Sequence, residues 1–226
     1  MTEEYAVQVT ENGPYVVTGG VPLAEEVIGT DAAGDSRTWE RGRSYEAAAE
    51  YKLCRCGQSA DKPYCDGSHL RVGFEGEETA SRLPYLQQSG EQDGPEVTLT
   101  DAQRLCAFGR FCDVDGSIWQ QVEEPGRAGA VEREAGLCPS GRLVAWKLAA
   151  DSAEQLEPEL PPSIGLVEDP QKQCSGGIWV RGGIPVKAAD GTVYEVRNRV
   201  TLCRCGSSRN KPFCDGTHAQ IGFTAS

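Results

Sequence analysis

Apolar residues fall in short clusters along this chain, separated by glycine, proline and charged residues, which is a pattern of short strands and turns. Two clusters run in parallel. Tyr15-Val16-Val17-Thr18-Gly19-Gly20-Val21-Pro22-Leu23 and Trp179-Val180-Arg181-Gly182-Gly183-Ile184-Pro185-Val186 both read as strands interrupted by a Gly-Gly step. After the second, Ala189-Asp190-Gly191-Thr192 places an Asp-Gly turn between two strand-like runs and predicts a hairpin. After the first, residues 28–43 are mostly polar, with Gly, Asp and Ser, and read as a surface loop. Residues 100–111 predict a short helix, Thr100 and Gln103 forming a capping box and Leu105 and Phe108 an apolar face. Asp113-Val114-Asp115-Gly116 is a turn, and Ser117-Ile118-Trp119 and Leu143-Val144-Ala145-Trp146 read as short strands. Residues 87–95 and 157–162 have the composition of linkers.

The expected architecture is therefore mostly β with short helices, of the α+β class, in three units: residues 1–86, a small α+β middle unit at 96–150, and residues 163–226. Composition sharpens one point. Only 38% of the 226 residues are hydrophobic, with 5 Phe and 4 Trp against 27 Gly and 13 Pro, so the cores are small and docking or metal ligation must help to stabilise each unit. Charge excludes some partners. Lys and Arg number 22 against 34 Asp and Glu, and a net charge of −12 opposes nucleic acid and anionic membranes. The start, Met1-Thr2-Glu3-Glu4-Tyr5, lacks the features of a signal peptide, and no stretch approaches the roughly 20 apolar residues needed to cross a bilayer. A cytoplasmic protein is expected, in whose reducing surroundings ten cysteines read as metal ligands better than as disulfides.

The candidate chemistry lies in an internal repeat. Residues 54–74, CRCGQSADKPYCDGSHLRVGF, align without a gap to residues 203–223, CRCGSSRNKPFCDGTHAQIGF, with 13 identities in 21 positions. Each copy carries C-x-C-x8-C-x3-H: Cys54, Cys56, Cys65 and His69, then Cys203, Cys205, Cys214 and His218, and these two histidines are the only ones in the chain. Three thiolates and an imidazole satisfy four coordination positions, either two on each iron of a 2Fe-2S cluster or all four on one zinc, and the spacing leaves both open. Gly57 and Gly206 let the backbone turn closely after the second cysteine, and Pro63 and Pro212 stiffen the return to the third. Asp66 and Asp215 begin a short helix, capping it and aiming its amides at ligand sulfur. Arg55 and Arg204 either pair with these aspartates or face solvent.

The full string resembles the CDGSH iron-sulfur family. Cys65-Asp66-Gly67-Ser68-His69 reproduces its name-giving motif, Cys214-Asp215-Gly216-Thr217-His218 differs by one hydroxyl residue, and Arg55, Ser59, Pro63, Arg204, Ser208 and Pro212 also match. The resemblance covers about half of the chain. It implies two 2Fe-2S clusters, with Cys54 and Cys56 on one iron and Cys65 and His69 on the other, and the same division among Cys203, Cys205, Cys214 and His218. Single-motif members of the family pair as homodimers that share a β cap. Two motifs in one chain therefore imply a monomer whose halves dock as an intramolecular pseudo-dimer, only approximately two-fold because the first lead-in is longer.

Four cysteines remain. Cys138-Pro139 resembles the last ligand of a ferredoxin-type set, Cys106 and Cys112 offer two more thiols and Cys174 a distant fourth, but the Cys-x2-Cys-x2-Cys run of such sets is absent. A third cluster of 4Fe-4S or 3Fe-4S type stands against structural thiols, a zinc site or a disulfide. No histidine is left to act as a base and no phosphate-binding loop is present, so the expected function is non-enzymatic: electron transfer or redox sensing with a redox partner protein. The alternatives are cluster transfer or storage with an apo iron-sulfur acceptor, a structural zinc protein, and a subunit serving an oxidoreductase partner.

Overall fold

The computed structural model describes residues 5–148 and 153–225. Residues 1–4, 149–152 and 226, which include the chain start considered above and the end of the middle unit at 150, lie outside them.

The first repeat supplies strands β1 (Ala6–Val9), β2 (Tyr15–Thr18), β3 (Leu23–Thr30), β4 (Ser36–Tyr45) and β5 (Glu50–Leu53), then the ligand loop and the short helix α1 (Ser68–Arg71). The middle unit supplies β6 (Gly90–Asp93), β7 (Val97–Asp101), α2 (Ile118–Gln121), α3 (Ala128–Leu137), β8 (Leu143–Leu148) and β9 (Ala153–Leu156). The second repeat supplies β10 (Ser163–Asp169), β11 (Cys174–Arg181), β12 (Val186–Lys187), β13 (Arg199–Leu202) and α4 (Thr217–Gln220).

The repeats exchange strands. One sheet runs β12-β1-β2-β5 and the other β13-β11-β10-β3-β4, so each is completed by strands from the opposite repeat. The two junctions, β1 on β12 and β3 on β10, are the parallel pairings; the pairings within each repeat are antiparallel. Between them lies one core that neither half owns: Val7, Tyr15, Val17 and Leu53 of the first repeat pack with Ile164, Leu166, Ile178 and Leu202 of the second. This is the expected intramolecular pseudo-dimer. The middle unit is a four-stranded antiparallel sheet, β6-β7-β8-β9, covered by α2 and α3 over a separate core of Val97, Leu99, Ile118, Val131, Ala135 and Leu143.

Four local expectations are corrected. Residues 28–43 are not a loop but much of the β3–β4 hairpin, in which Ile28 pairs with Trp39. Strand β4 sits at the sheet edge with mostly exposed residues, so it keeps the polar composition that reads as loop. Residues 100–111 are not a helix. Thr100 pairs with Val144 in the middle sheet and its hydroxyl accepts from Trp146 Nε1 at 2.8 Å, so sheet contacts override the capping box. Two 3-10 turns follow instead, at Gln103–Leu105 and Phe111–Asp113. Ser117-Ile118-Trp119 opens α2 instead of a strand, since Ile118 and Val122, four apart, both face the core. Finally, the stretch of linker composition at 87–95 contains β6, paired with β7. The Asp190-Gly191 turn is present, Ala188 N–H donating to Thr192 O at 2.8 Å, but its ladder stops at one bridge because residues 199–202 pair with β11.

Candidate metal centres

Each ligand set is built on the loop that leaves the last strand of its repeat, and one bracing scheme serves both. Cys54 N–H donates to Pro63 O and Cys203 N–H to Pro212 O, both at 2.8 Å, which closes the loop between the second and third cysteines. Inside it, the Ser59 hydroxyl donates to Tyr64 O and accepts from Asp61 N–H, while Lys62 Nζ donates to Ser59 O. Ser208, Asn210 and Lys211 repeat these contacts. Asp66 accepts from the amides of Ala60 and Ser68, each at 2.9 Å, and Asp215 from those of Arg209 and Thr217. The aspartates thus tie the loop to the start of each helix. Amide donation, first from Ala60, holds the Asp66 carboxyl well below the usual carboxylate range. Asp215 is also lowered, its hydrogen bonds from Thr217 and Arg209 outweighing the opposing effect of burial. The serine and lysine roles were not read from sequence; their identity in both copies was the available signal.

Within each loop the donors stand in pairs. Cys54 Sγ and Cys56 Sγ are 3.8 Å apart, and Cys65 Sγ is 3.4 Å from His69 Nδ1. In the second copy the distances are 3.9 Å for Cys203 and Cys205 and 3.3 Å for Cys214 and His218 Nδ1. Two ligands at roughly 2.1–2.3 Å from one tetrahedral metal stand about 3.6–3.8 Å apart, so the cysteine pairs stand at the separation that a single metal bridges and the Cys–His pairs a few tenths of an ångström inside it. Among the described residues no group of three or more Cys, His, Asp or Glu converges on one point. Cys203 is drawn down to about 7, chiefly by its hydrogen bond with Cys205, whose own thiol is pushed up correspondingly. Burial raises Cys214 and lowers His218. Amide donors do reach the sulfurs, as Gln58 N–H reaches Cys56 Sγ at 3.4 Å, but they come mainly from the turn after the second cysteine.

That turn also joins the two sites. A Cβ at Gly57 would stand 2.5 Å from Cys205 O, and one at Gly206 the same distance from Cys56 O. The loops meet backbone to backbone, and both glycines hold positive φ, 75° and 82°. Tyr15 of the first repeat reaches into the second loop, its hydroxyl 3.0 Å from Cys203 O and 3.1 Å from Pro212 O.

Arg55 and Arg204 do neither thing expected of them: both are buried and neither pairs with an aspartate of its motif. Arg55 donates to Thr10 O and Gly76 O and lies over the rings of Tyr15 and Phe74. Arg204 donates to Glu168 at 2.7 Å. A guanidinium between two cysteines thus ties each loop to the chain around it, through backbone carbonyls in one copy and through Glu168 and the Val167 carbonyl in the other.

Residues 12–70 and 175–219 match the family described as iron-binding zinc finger CDGSH type. The two repeats are CDGSH domains. No curated protein and no solved structure matches the chain. This tandem CDGSH protein is therefore an iron-sulfur-binding chain with a middle unit that the family match does not cover. Among the described residues no helix is long and apolar enough to cross a membrane.

The middle cysteines divide. Cys112 and Cys138 pack against the middle core, and Cys112 is pushed up to about 12, first by burial and further by Asp113 and by the thiols of Cys138 and Cys106. Cys174 is apart from them, at the start of β11, where after burial its charged neighbours are Asp169, Arg110 and Glu168.

Proposed function

We propose that the chain holds two 2Fe-2S clusters through Cys54, Cys56, Cys65 and His69 and through Cys203, Cys205, Cys214 and His218, and that it passes single electrons to and from a redox partner protein. The observation that carries this reading is the division of each ligand set into two close pairs, 3.8 and 3.4 Å apart in the first and 3.9 and 3.3 Å in the second. A lone zinc would draw all four donors to one point, whereas two irons take them two by two. Bound there, a 2Fe-2S cluster supplies a one-electron couple.

The chain's own residues set the conditions. Cys54, Cys56, Cys203 and Cys205 are buried and anchor the inner side of each site, and the contact of Gly57 and Gly206 with the opposite loop holds the two sites side by side. One imidazole in place of a fourth thiolate removes negative charge and favours the reduced state. Amide donation to the cysteine sulfurs acts in the same direction. We read the chain as non-enzymatic, cytoplasmic and monomeric. Delivery of clusters to an apo acceptor is the second reading, favoured by the half-buried Cys65 and His69.

The test is absorption and EPR spectroscopy on anaerobically purified protein together with iron, sulfide and zinc analysis. About four irons and four sulfides per chain, with visible charge-transfer bands, are expected, and seven or eight irons would add a cluster in the middle unit. A colourless protein with two zinc ions would overturn the proposal.

A further inference from the structure

The two sites have the same ligands under different cover. At the first, a Cβ on Gly67 would meet nothing within 4 Å, and Cys65 and His69 are half-buried. At the second, a Cβ on Gly216 would stand 3.3 Å from Cys106 O and 3.5 Å from Phe108 Cβ, and Cys214 and His218 are each only 3% exposed. The covering segment is residues 105–111 of the middle unit, which has no counterpart at the Gly67 turn of the first site among the described residues.

Three anchors hold this segment in place. At one end Asn210, inside the second ligand loop, donates through Nδ2 to Arg104 O at 3.0 Å. Near the other, Arg110 pairs with the buried Asp169 at 2.6 Å, and Phe111 is sunk among Ile28, Val167 and Trp179. Between them Phe108 and Arg110 both take left-handed backbone conformations, with φ of 59° and 62°. Residues with side chains adopt that region at a cost and persist there only where surrounding contacts over-determine them. Phe108 does not offset this by burial, since it is 37% exposed. The strained stretch instead lies along the Gly216 turn, where it closes the approach to Cys214 and His218.

We propose that residues 105–111 are a cap that makes the two clusters unequal: the cluster at Cys54, Cys56, Cys65 and His69 is the one that exchanges with the surroundings, and the cluster at Cys203, Cys205, Cys214 and His218 is retained beneath the cap. This rests on both sites being 2Fe-2S centres, so iron, sulfide and zinc content is measured first. A chain without two clusters fails the earlier reading, while a chain with two clusters of equal lability fails only this one.

The experiment follows visible absorbance of the anaerobic, oxidised holoprotein in excess EDTA. Release is ligand exchange without electron transfer: ferric iron passes to the chelator, and sulfide and the freed thiolates take protons from water. Two phases of equal amplitude are expected, with rates at least about tenfold apart, as local opening of a packed segment requires. Single variants His69→Cys and His218→Cys serve as spectral labels; the altered spectrum should leave in the fast phase for the first and remain into the slow phase for the second. Arg110→Ala and Asn210→Ala, which each remove one anchor, should speed the slow phase about tenfold and leave the fast phase unchanged. One phase for both clusters, earlier loss of the His218→Cys label, or a slow phase unmoved in both anchor variants would overturn the cap. If either anchor variant does not fold, the order of release in the parent and the labelled proteins decides.

Discussion

Gly57 and Gly206 are residues at which a single added carbon would collide with the opposite ligand loop. The obstacle to each Cβ is the backbone of Cys205 or Cys56, which cannot swing aside as a side chain would, and the positive φ adds strain to any replacement. Gly57→Ala is therefore expected to lower stability by about 2 kcal/mol or more, read as a drop in the denaturant midpoint with an unchanged slope. An alanine variant as stable as the parent would mean that the loops do not touch. The histidines carry the second expectation. Changing both His69 and His218 to Cys keeps four ligands per site but adds a negative charge to each, so both clusters should be retained with potentials lower by ~100 mV or more. Redox titration followed by EPR checks this, and unchanged potentials would remove both histidines from the ligand sets.

Among the elements, β13 is tied to the middle unit through one side chain. Arg199 is 1% exposed; its guanidinium donates to Glu157, to Ala135 O and Gly136 O at 2.6 Å, to Cys138 O at 2.8 Å, and to Leu143 O. It thus caps the carbonyl end of α3, where a cation is favourable both as hydrogen-bond donor and against the helix dipole. Arg199→Met leaves a carboxylate and several carbonyls without their donor, and is expected to cost about 3–5 kcal/mol. Denaturant unfolding measures the loss, and the same variant should become open to proteolysis within residues 128–148. A loss below about 1 kcal/mol would mean that the middle unit docks by other contacts.

The molecule as a whole has two sheets that each need strands from both repeats, and one core shared between them. Neither CDGSH domain can shed its partner without exposing strand edges and apolar residues on both sides. Unfolding of the two repeats is expected in one transition whose midpoint does not move over about a hundredfold range of protein concentration. Separate transitions for the repeats, or a midpoint that rises with concentration, would indicate that the pairing lies between chains.

The chemistry was legible in the chain because it is local. All four ligands of each site fall within 16 residues, the two copies repeat without a gap, and the paired donors in each loop lie two or four residues apart. The strand-and-turn pattern was legible for the same reason, since Tyr15–Thr18 and Cys174–Arg181 carry their apolar residues within short windows. What escaped was set by partners far along the chain. Residues 28–43 form a hairpin because β3 finds β10, more than a hundred residues away, and Thr100 lies in a strand because β8 lies beside it. The buried pairing of Arg204 with Glu168, the reach of Arg199 into α3, and the unequal cover over His69 and His218 likewise depend on contacts between units. A ligand set can be written into a single loop, but burial is a property of whatever folds against that loop, and only the tertiary structure decides it.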